Sequence, residues 1–193
     1  MAFSVGNLAP NFMASLVDGK NIELYQLLKS QSVCVIFLRF LGCPLTRLRM
    51  AELETEIDKY NLNDLKLLVV FESTPDRTQK YINRKGLHLD IITDAKRKLY
   101  DLYDVQPGGY LKMLNPQVLK KAGEATLKGH MHGAFEGNEL QLPAAFIINK
   151  DRHFSYVNYG NHPADAVETD LILEGTVNSH QDQSEHISNP EIS

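Results

Sequence analysis

Cysteine is scarce in this chain of 193 residues: two thiols, Cys34 and Cys43, cannot build a disulfide framework. Clusters of basic residues are missing too. The formal net charge is −4, and no stretch gathers lysine and arginine into a phosphate-neutralising stripe, so nucleic acid is not an expected partner. Long apolar runs are also lacking. The longest, "VCVIFL", falls far short of the roughly 20 residues that span a bilayer, so no membrane partner is expected. The opening "MAFSVGNLAP" has neither the basic stretch nor the apolar segment of a secretory signal, and with so few thiols a reducing cytoplasm is the expected setting. What is present, 43% hydrophobic and 23% charged residues, suffices for one globular domain with a substantial core.

Strand and helix signals alternate along the chain. "SVCVIFLRF" (32–40) and "LKLLVVFES" (65–73) are nearly continuous in apolarity, as strands buried on both faces are. Between them, Met50, Leu53, Ile57 and Tyr60 form one stripe at helical spacing, which predicts a helix over 44–60 with Glu and Arg on its other side. A polar helix over 76–85 stops at Gly86, a short strand follows in "HLDIITD", and 95–105 reads as a short helix. Residues 144–160 read as two strands joined by a turn at 149–152, and 163–174 as a closing helix. The order βαβα then ββα implies a mixed central sheet flanked by helices.

Three regions lie outside that frame. Asp18-Gly19 between short apolar runs signals an N-terminal hairpin. Residues 106–142 are rich in glycine, with at most one short helix expected, and are expected to move over the thiol or to form a subunit contact in a homodimer. The polar segment 178–193 is expected to be a disordered tail to a domain covering 1–177.

In "FLRFLGCPLTR" (37–47) an apolar run ends at Gly42, and a thiol stands where a helix begins. With Pro44 at the first helical position, Cys43 becomes the N-cap. The free N–H groups of the first turn, the helix dipole, and Arg39 and Arg47 all favour a thiolate. Thr46 occupies the second-cysteine position of a Cys-x-x-Cys motif and offers a hydroxyl to the sulfur or to a peroxide oxygen. The alternative for Cys43 is a small buried hydrophobe, which is what most free cysteines are. Cys34, mid-strand, reads as structural. An internal disulfide is not expected, because nine residues of mostly extended chain hold the two Cα atoms roughly 20 Å apart where a bridge needs less than about 7 Å. "GHMHG" (129–133) offers two imidazoles without further ligands, so neither a metal nor any cofactor is expected.

The segments "VGNLAPNFMASLVDGKNIEL", "VCVIFLRFLGCPLTR" and "LQLPAAFIINKDRHFSYVNYGNHPAD" together resemble the peroxiredoxin-like branch of the alkyl hydroperoxide reductase C/thiol-specific antioxidant family, over roughly residues 5–174. The resemblance implies an α/β thioredoxin-like fold, with Cys43, Arg39 and Thr46 as catalytic residues and Pro44, Arg47, Leu142 and Pro143 at the substrate site. It further implies that Pro143 is a cis-proline whose neighbouring backbone faces the thiol and pairs with a substrate or partner segment. The family's Pro-x-x-x-Thr-x-x-Cys pattern and its later arginine are absent, Pro143 standing where that arginine would be. In this branch Cys-x-x-Cys with a preceding arginine is common; here the second cysteine is Thr46, a spacing shared with glutathione peroxidases. The function implied is a thiol-dependent peroxidase or related oxidoreductase, acting on a peroxide or disulfide and recycled by an external thiol such as glutathione or a thioredoxin-like protein. The alternative is a non-catalytic binding or redox-sensing module on the same scaffold.

Overall fold

The computed structural model of the chain describes residues 2–133 and 136–174. The chain opens on a hairpin, β1 (Met13–Ser15) and β2 (Asn21–Glu23), whose turn is made by Gly19 at φ 91°. A single helical turn, α1 (Leu24–Leu27), then leads into β3 (Ser32–Phe37). The helix α2 (Pro44–Leu62) crosses over to β4 (Leu65–Phe71), which pairs parallel with β3 from Ser32 opposite Leu65 to Phe37 opposite Val70. A second crossover, α3 (Pro75–Lys85), stops at Gly86 in the left-handed region and delivers β5 (Ile91–Thr93) parallel to β4. After α4 (Lys98–Leu102), α5 (Tyr110–Met113) and α6 (Pro116–Leu127), the chain returns as β6 (Ala144–Ile148), antiparallel to β3, and turns into β7 (Phe154–Tyr159). The five-stranded sheet therefore runs β5-β4-β3-β6-β7, with β3 at its centre.

Both faces of the sheet are covered, which is why β3, β4 and β6 carry almost unbroken apolar sequence. On one face Phe37, Tyr100, Tyr103, Phe146 and Phe154 interlock, Phe37 meeting Phe146 edge to face at 5.7 Å between ring centroids. On the other face Met50, Leu53 and Tyr60 of α2 are buried against Cys34, Ile36, Leu67 and Val69, with Ile57 partly buried beside them. The helical stripe thus packs where its spacing placed it.

Several boundaries differ from the sequence reading. Strands expected over 32–40 and 65–73 end at Phe37 and Phe71, although Leu38 still donates to the Val70 carbonyl and Glu72 to that of Arg39. The helix expected over 95–105 begins only at Lys98, because Arg97 is left-handed and the Asp94 carboxylate accepts from the amides of Lys98, Leu99 and Tyr100. Residues 163–168 are not helical; the final helix occupies 169–174. Among its described residues the 106–142 region holds two helices, the second capped by Asn115, whose side chain accepts from the Gln117 amide at 2.8 Å ahead of Pro116 at the first helical position. That Asn-Pro pair was a readable start signal. The expected tail, 178–193, lies outside the described residues.

Leu53 is fully buried between α2 and the sheet. Leu53→Ala should cost about 2–5 kcal/mol, read as a lower urea midpoint at unchanged denaturant slope; a loss below about 1 kcal/mol would show that this helix face is not packed as described.

Candidate active site around Cys43

Past Phe37 the chain leaves the sheet and closes a turn in which the Cys43 amide donates to the Phe40 carbonyl at 3.0 Å. Cys43 is the N-cap of α2, extended at φ −73° and ψ 127°, with Pro44 at the start of the helix. Its sulfur faces a cation. Arg39 Nη1 donates to Sγ at 3.0 Å, while Nη2 donates to the Glu139 carbonyl and the guanidinium lies over the Phe40 ring. Arg39 itself is buried, and its Nε has no partner. Thr46, in the first turn of the same helix, is 2% exposed and its hydroxyl is also without a partner. Leaving a buried hydroxyl unpaired costs about 1–3 kcal/mol, so it is a ready donor or acceptor for a ligand.

Arg47 directs its hydrogen bonds to backbone carbonyls. Its Nε donates to the Leu41 carbonyl at 2.7 Å and Nη1 to that of Met131 at 2.8 Å, and its guanidinium sits over Tyr81. It fastens the loop to the segment that covers it. Leu142 packs toward Gly108, and no peptide bond among the described residues is cis, so Pro143 is trans, contrary to the expectation for it. Trans is the lower-energy form by about 0.5–1 kcal/mol. In that form Pro143 leads directly into β6, its carbonyl accepting from Gly160 at 2.8 Å. Gly160 is required there, since a Cβ would stand 2.8 Å from the proline ring.

The long insertion supplies a strap over the thiol. Gly133 donates to the Gly42 carbonyl at 2.8 Å, and the His132 ring meets the edge of Phe40. Further on, Glu136 pairs with Arg77 at 2.6 Å and accepts from Ser73 Oγ at 2.9 Å. The Asn138 amide donates to the buried Glu72 carboxylate at 2.8 Å, which also binds Arg97. Burial pushes the Glu72 carboxyl up from its ordinary range, while the Asn138 amide and Arg97 oppose that shift. Gly137 makes the approach possible: at φ 68°, a Cβ on it would lie 2.9 Å from Glu72 Cβ. Under this strap Cys43 is only 2% exposed.

Cys34 is a different thiol. It is fully buried in mid-β3, where desolvation pushes it up to about 12 against a weaker pull from Arg49. Both cysteines are free. Arg49 was missed from sequence, for nothing in its surroundings distinguishes it from a solvated helix charge. It is buried, donating to the Val167 carbonyl at 2.9 Å and to Thr169 at 3.1 Å, and pairing with Glu52 and Glu56. Tyr60 also bonds Thr169, so α2 clamps the stretch ahead of the final helix. Between α2, α6 and that clamped stretch lies a cavity of about 320 Å³ with Arg39, Thr46 and Pro143 in its wall.

A mixed sheet whose central strand delivers a thiol to the start of the following helix defines a thioredoxin-like fold. The profile of the AhpC/TSA family matches residues 5–157, and the chain belongs to that family. Among curated relatives, the thiol-disulfide oxidoreductase ResA of Halalkalibacterium halodurans is 30% identical over 105 residues, 53% of this chain and 57% of that one. The chain thus matches little more than half the length of that relative. Peroxidoxin BcpB from Mycobacterium tuberculosis superposes with a TM-score of 0.65 at 14% identity, covering 91% of this chain and 97% of that one. The yeast mitochondrial 1-Cys peroxiredoxin does so with a TM-score of 0.68 at 14% identity, covering 95% and 78%.

Gly137→Ala should loosen the strap and raise the maleimide labelling rate of Cys43 several-fold, with Cys34 still unlabelled; an unchanged rate would mean that the strap does not limit access to the sulfur.

Proposed function

We propose that this protein is a thiol-dependent peroxidase, or a closely related thiol oxidoreductase, that uses Cys43 as its one reactive cysteine. The observation that carries this reading is the 3.0 Å bond from Arg39 to the sulfur of a helix N-cap. A cation and the helix N-terminus act together there to favour the anion, the nucleophilic form. The thiolate attacks one peroxide oxygen, the O–O bond breaks, and the departing oxygen leaves as water or an alcohol after taking a proton. Arg39 steadies the negative charge as it moves from sulfur to oxygen, and the partnerless Thr46 hydroxyl orients the peroxide. Cys43 becomes a sulfenic acid. An external thiol condenses with it to a mixed disulfide and water, and a second thiol releases reduced Cys43 and a symmetrical disulfide.

With Thr46 in place of a second cysteine and Cys34 inside the sheet, the recycling thiol is drawn from outside the chain. The yeast 1-Cys peroxiredoxin has its thiol resolved via glutathione/thioredoxin systems, and a glutathione or thioredoxin-like reductant in the cytoplasm is proposed here. A second reading, redox sensing without turnover, is favoured by one observation: the strap leaves the thiol almost without solvent contact.

Treatment with one equivalent of peroxide followed by dimedone should label Cys43 alone, and Cys43→Ser should abolish labelling. Arg39→Met should slow the peroxide step about 100-fold, as for loss of one transition-state donor. Labelling without thiol-dependent peroxide turnover would select the sensor; a recovered Cys34–Cys43 crosslink in folded monomer would refute the one-cysteine cycle.

A further inference from the structure

Exposed apolar side chains are unevenly spread over this molecule. Of the twelve large apolar residues exposed among the described ones, six fall within 110–131: Tyr110, Leu111, Leu114, Leu119, Leu127 and Met131. Leu111 is 84% exposed and Leu127 92%, so these side chains protrude into water. Soluble proteins rarely gather such residues without a use for them. Helical spacing sorts them: Tyr110, Leu111 and Leu114 share one side of the single turn α5, while Leu119 and Leu127 lie two turns apart on one stripe of α6 with Gly123 between them. The inner side of α6 is already in use, with Val118 and Ala125 buried.

Charge in the same stretch opposes that of the rest of the chain. Residues 110–131 carry Lys112, Lys120, Lys121 and Lys128 against Glu124, a net of +3, which leaves −7 for the remainder of a chain whose total is −4. Glu124 is paired with Lys128 at 2.8 Å, and among the described residues Lys112, Lys120 and Lys121 form no ion pair. A second copy of the chain meeting this face symmetrically would set lysine against lysine. An anionic bilayer surface accommodates both halves of the pattern, because leucine and tyrosine enter the headgroup layer while lysine stems lie along it and their ammonium groups meet lipid phosphates. No described helix is long and apolar enough to cross a membrane, so the contact is with the surface.

We propose that α5 and the outer side of α6 form a docking surface for an anionic lipid bilayer, with Tyr110, Leu111, Leu114 and Leu119 entering the interface and Lys112 and Lys120 binding lipid phosphates. The absence of a long apolar run bears on spanning a membrane and not on lying against one. The surface is tied to the strap: the Gly108 amide donates to the Leu140 carbonyl at 2.8 Å, and Gly108 packs between the side chains of Leu142 and Lys112. Docking thereby holds the end of the strap beside the bilayer. The proposal does not depend on peroxide chemistry.

The chain has no tryptophan, so Leu111→Trp gives a single reporter in the full-length protein. Vesicles of phosphatidylcholine alone are compared with vesicles of phosphatidylcholine and phosphatidylglycerol in equal parts. Leu111→Trp emission should shift to the blue with the mixed vesicles only, and Leu62→Trp, at the far end of α2, should not shift with either. In co-sedimentation the wild-type chain should partition at least about tenfold more strongly onto the mixed vesicles, and high salt should reduce that preference. Lys112→Gln and Lys120→Gln should each weaken binding about fivefold, Leu111→Ser combined with Leu114→Ser at least about tenfold, and Lys29→Gln, beyond α1, should leave it unchanged. Unaltered urea midpoints would confirm that these exposed substitutions leave the fold intact. Equal partitioning onto the two vesicles, no binding to either, insensitivity to salt or to Lys112 and Lys120, or an equal shift of Leu62→Trp would each overturn the proposal. Blue emission from Leu111→Trp without lipid, together with a concentration-dependent dimer, would overturn it in favour of a second copy on this face.

Discussion

Everything around Cys43 depends on one buried guanidinium. Arg39 donates to the thiol with one nitrogen and to the strap carbonyl of Glu139 with another, while its third has no partner. An isolated cation out of water costs several kcal/mol, and a neutral sulfur with a single carbonyl compensates it poorly. The charge is matched when the sulfur carries the negative charge. The arginine, bonded to both the sulfur and the Glu139 carbonyl, ties the charge at this site to the position of the strap.

The same pairing accounts for two features that look contradictory. A nucleophile needs access, yet Cys43 is covered by residues 131–133 and 136–141. That segment is fastened mainly through polar contacts at its margins: Arg47 to Met131, Arg77 and Ser73 to Glu136, Glu72 to Asn138. Contacts of this kind open at far lower free energy than the interlocked aromatic core beneath the sheet. A cavity on the α2 side has Arg39, Thr46 and Pro143 in its wall.

Much of this was legible in sequence, and what escaped did so for definable reasons. The apolar runs of β3 and β4 and the Met50–Leu53–Tyr60 stripe announce themselves because burial on a given face imposes a period. Cys43 as an N-cap followed from Pro44 and Gly42 alone. The buried role of Arg49 left no trace, since its partners Val167 and Thr169 lie more than a hundred residues away. Arg47, read as a cation near the thiol, is held by the carbonyls of Leu41 and Met131, which sequence proximity could not reveal. The resemblance suggested a cis bond at Pro143, whereas the local geometry, with Gly160 packed against the ring, is met by the trans form. Two helices in 106–142 were hidden by glycine-rich composition despite a clear Asn-Pro start.

Thiolate absorbance near 240 nm at neutral pH tests the central claim most directly, because it reads the charge on sulfur regardless of how far the strap opens. The difference between wild type and Cys43→Ser should show a clear thiolate signal, and the same difference taken in an Arg39→Met background should be several-fold smaller. Equal signals with and without Arg39, or none in the wild type, would contradict the assignment of this arginine as the group that charges Cys43.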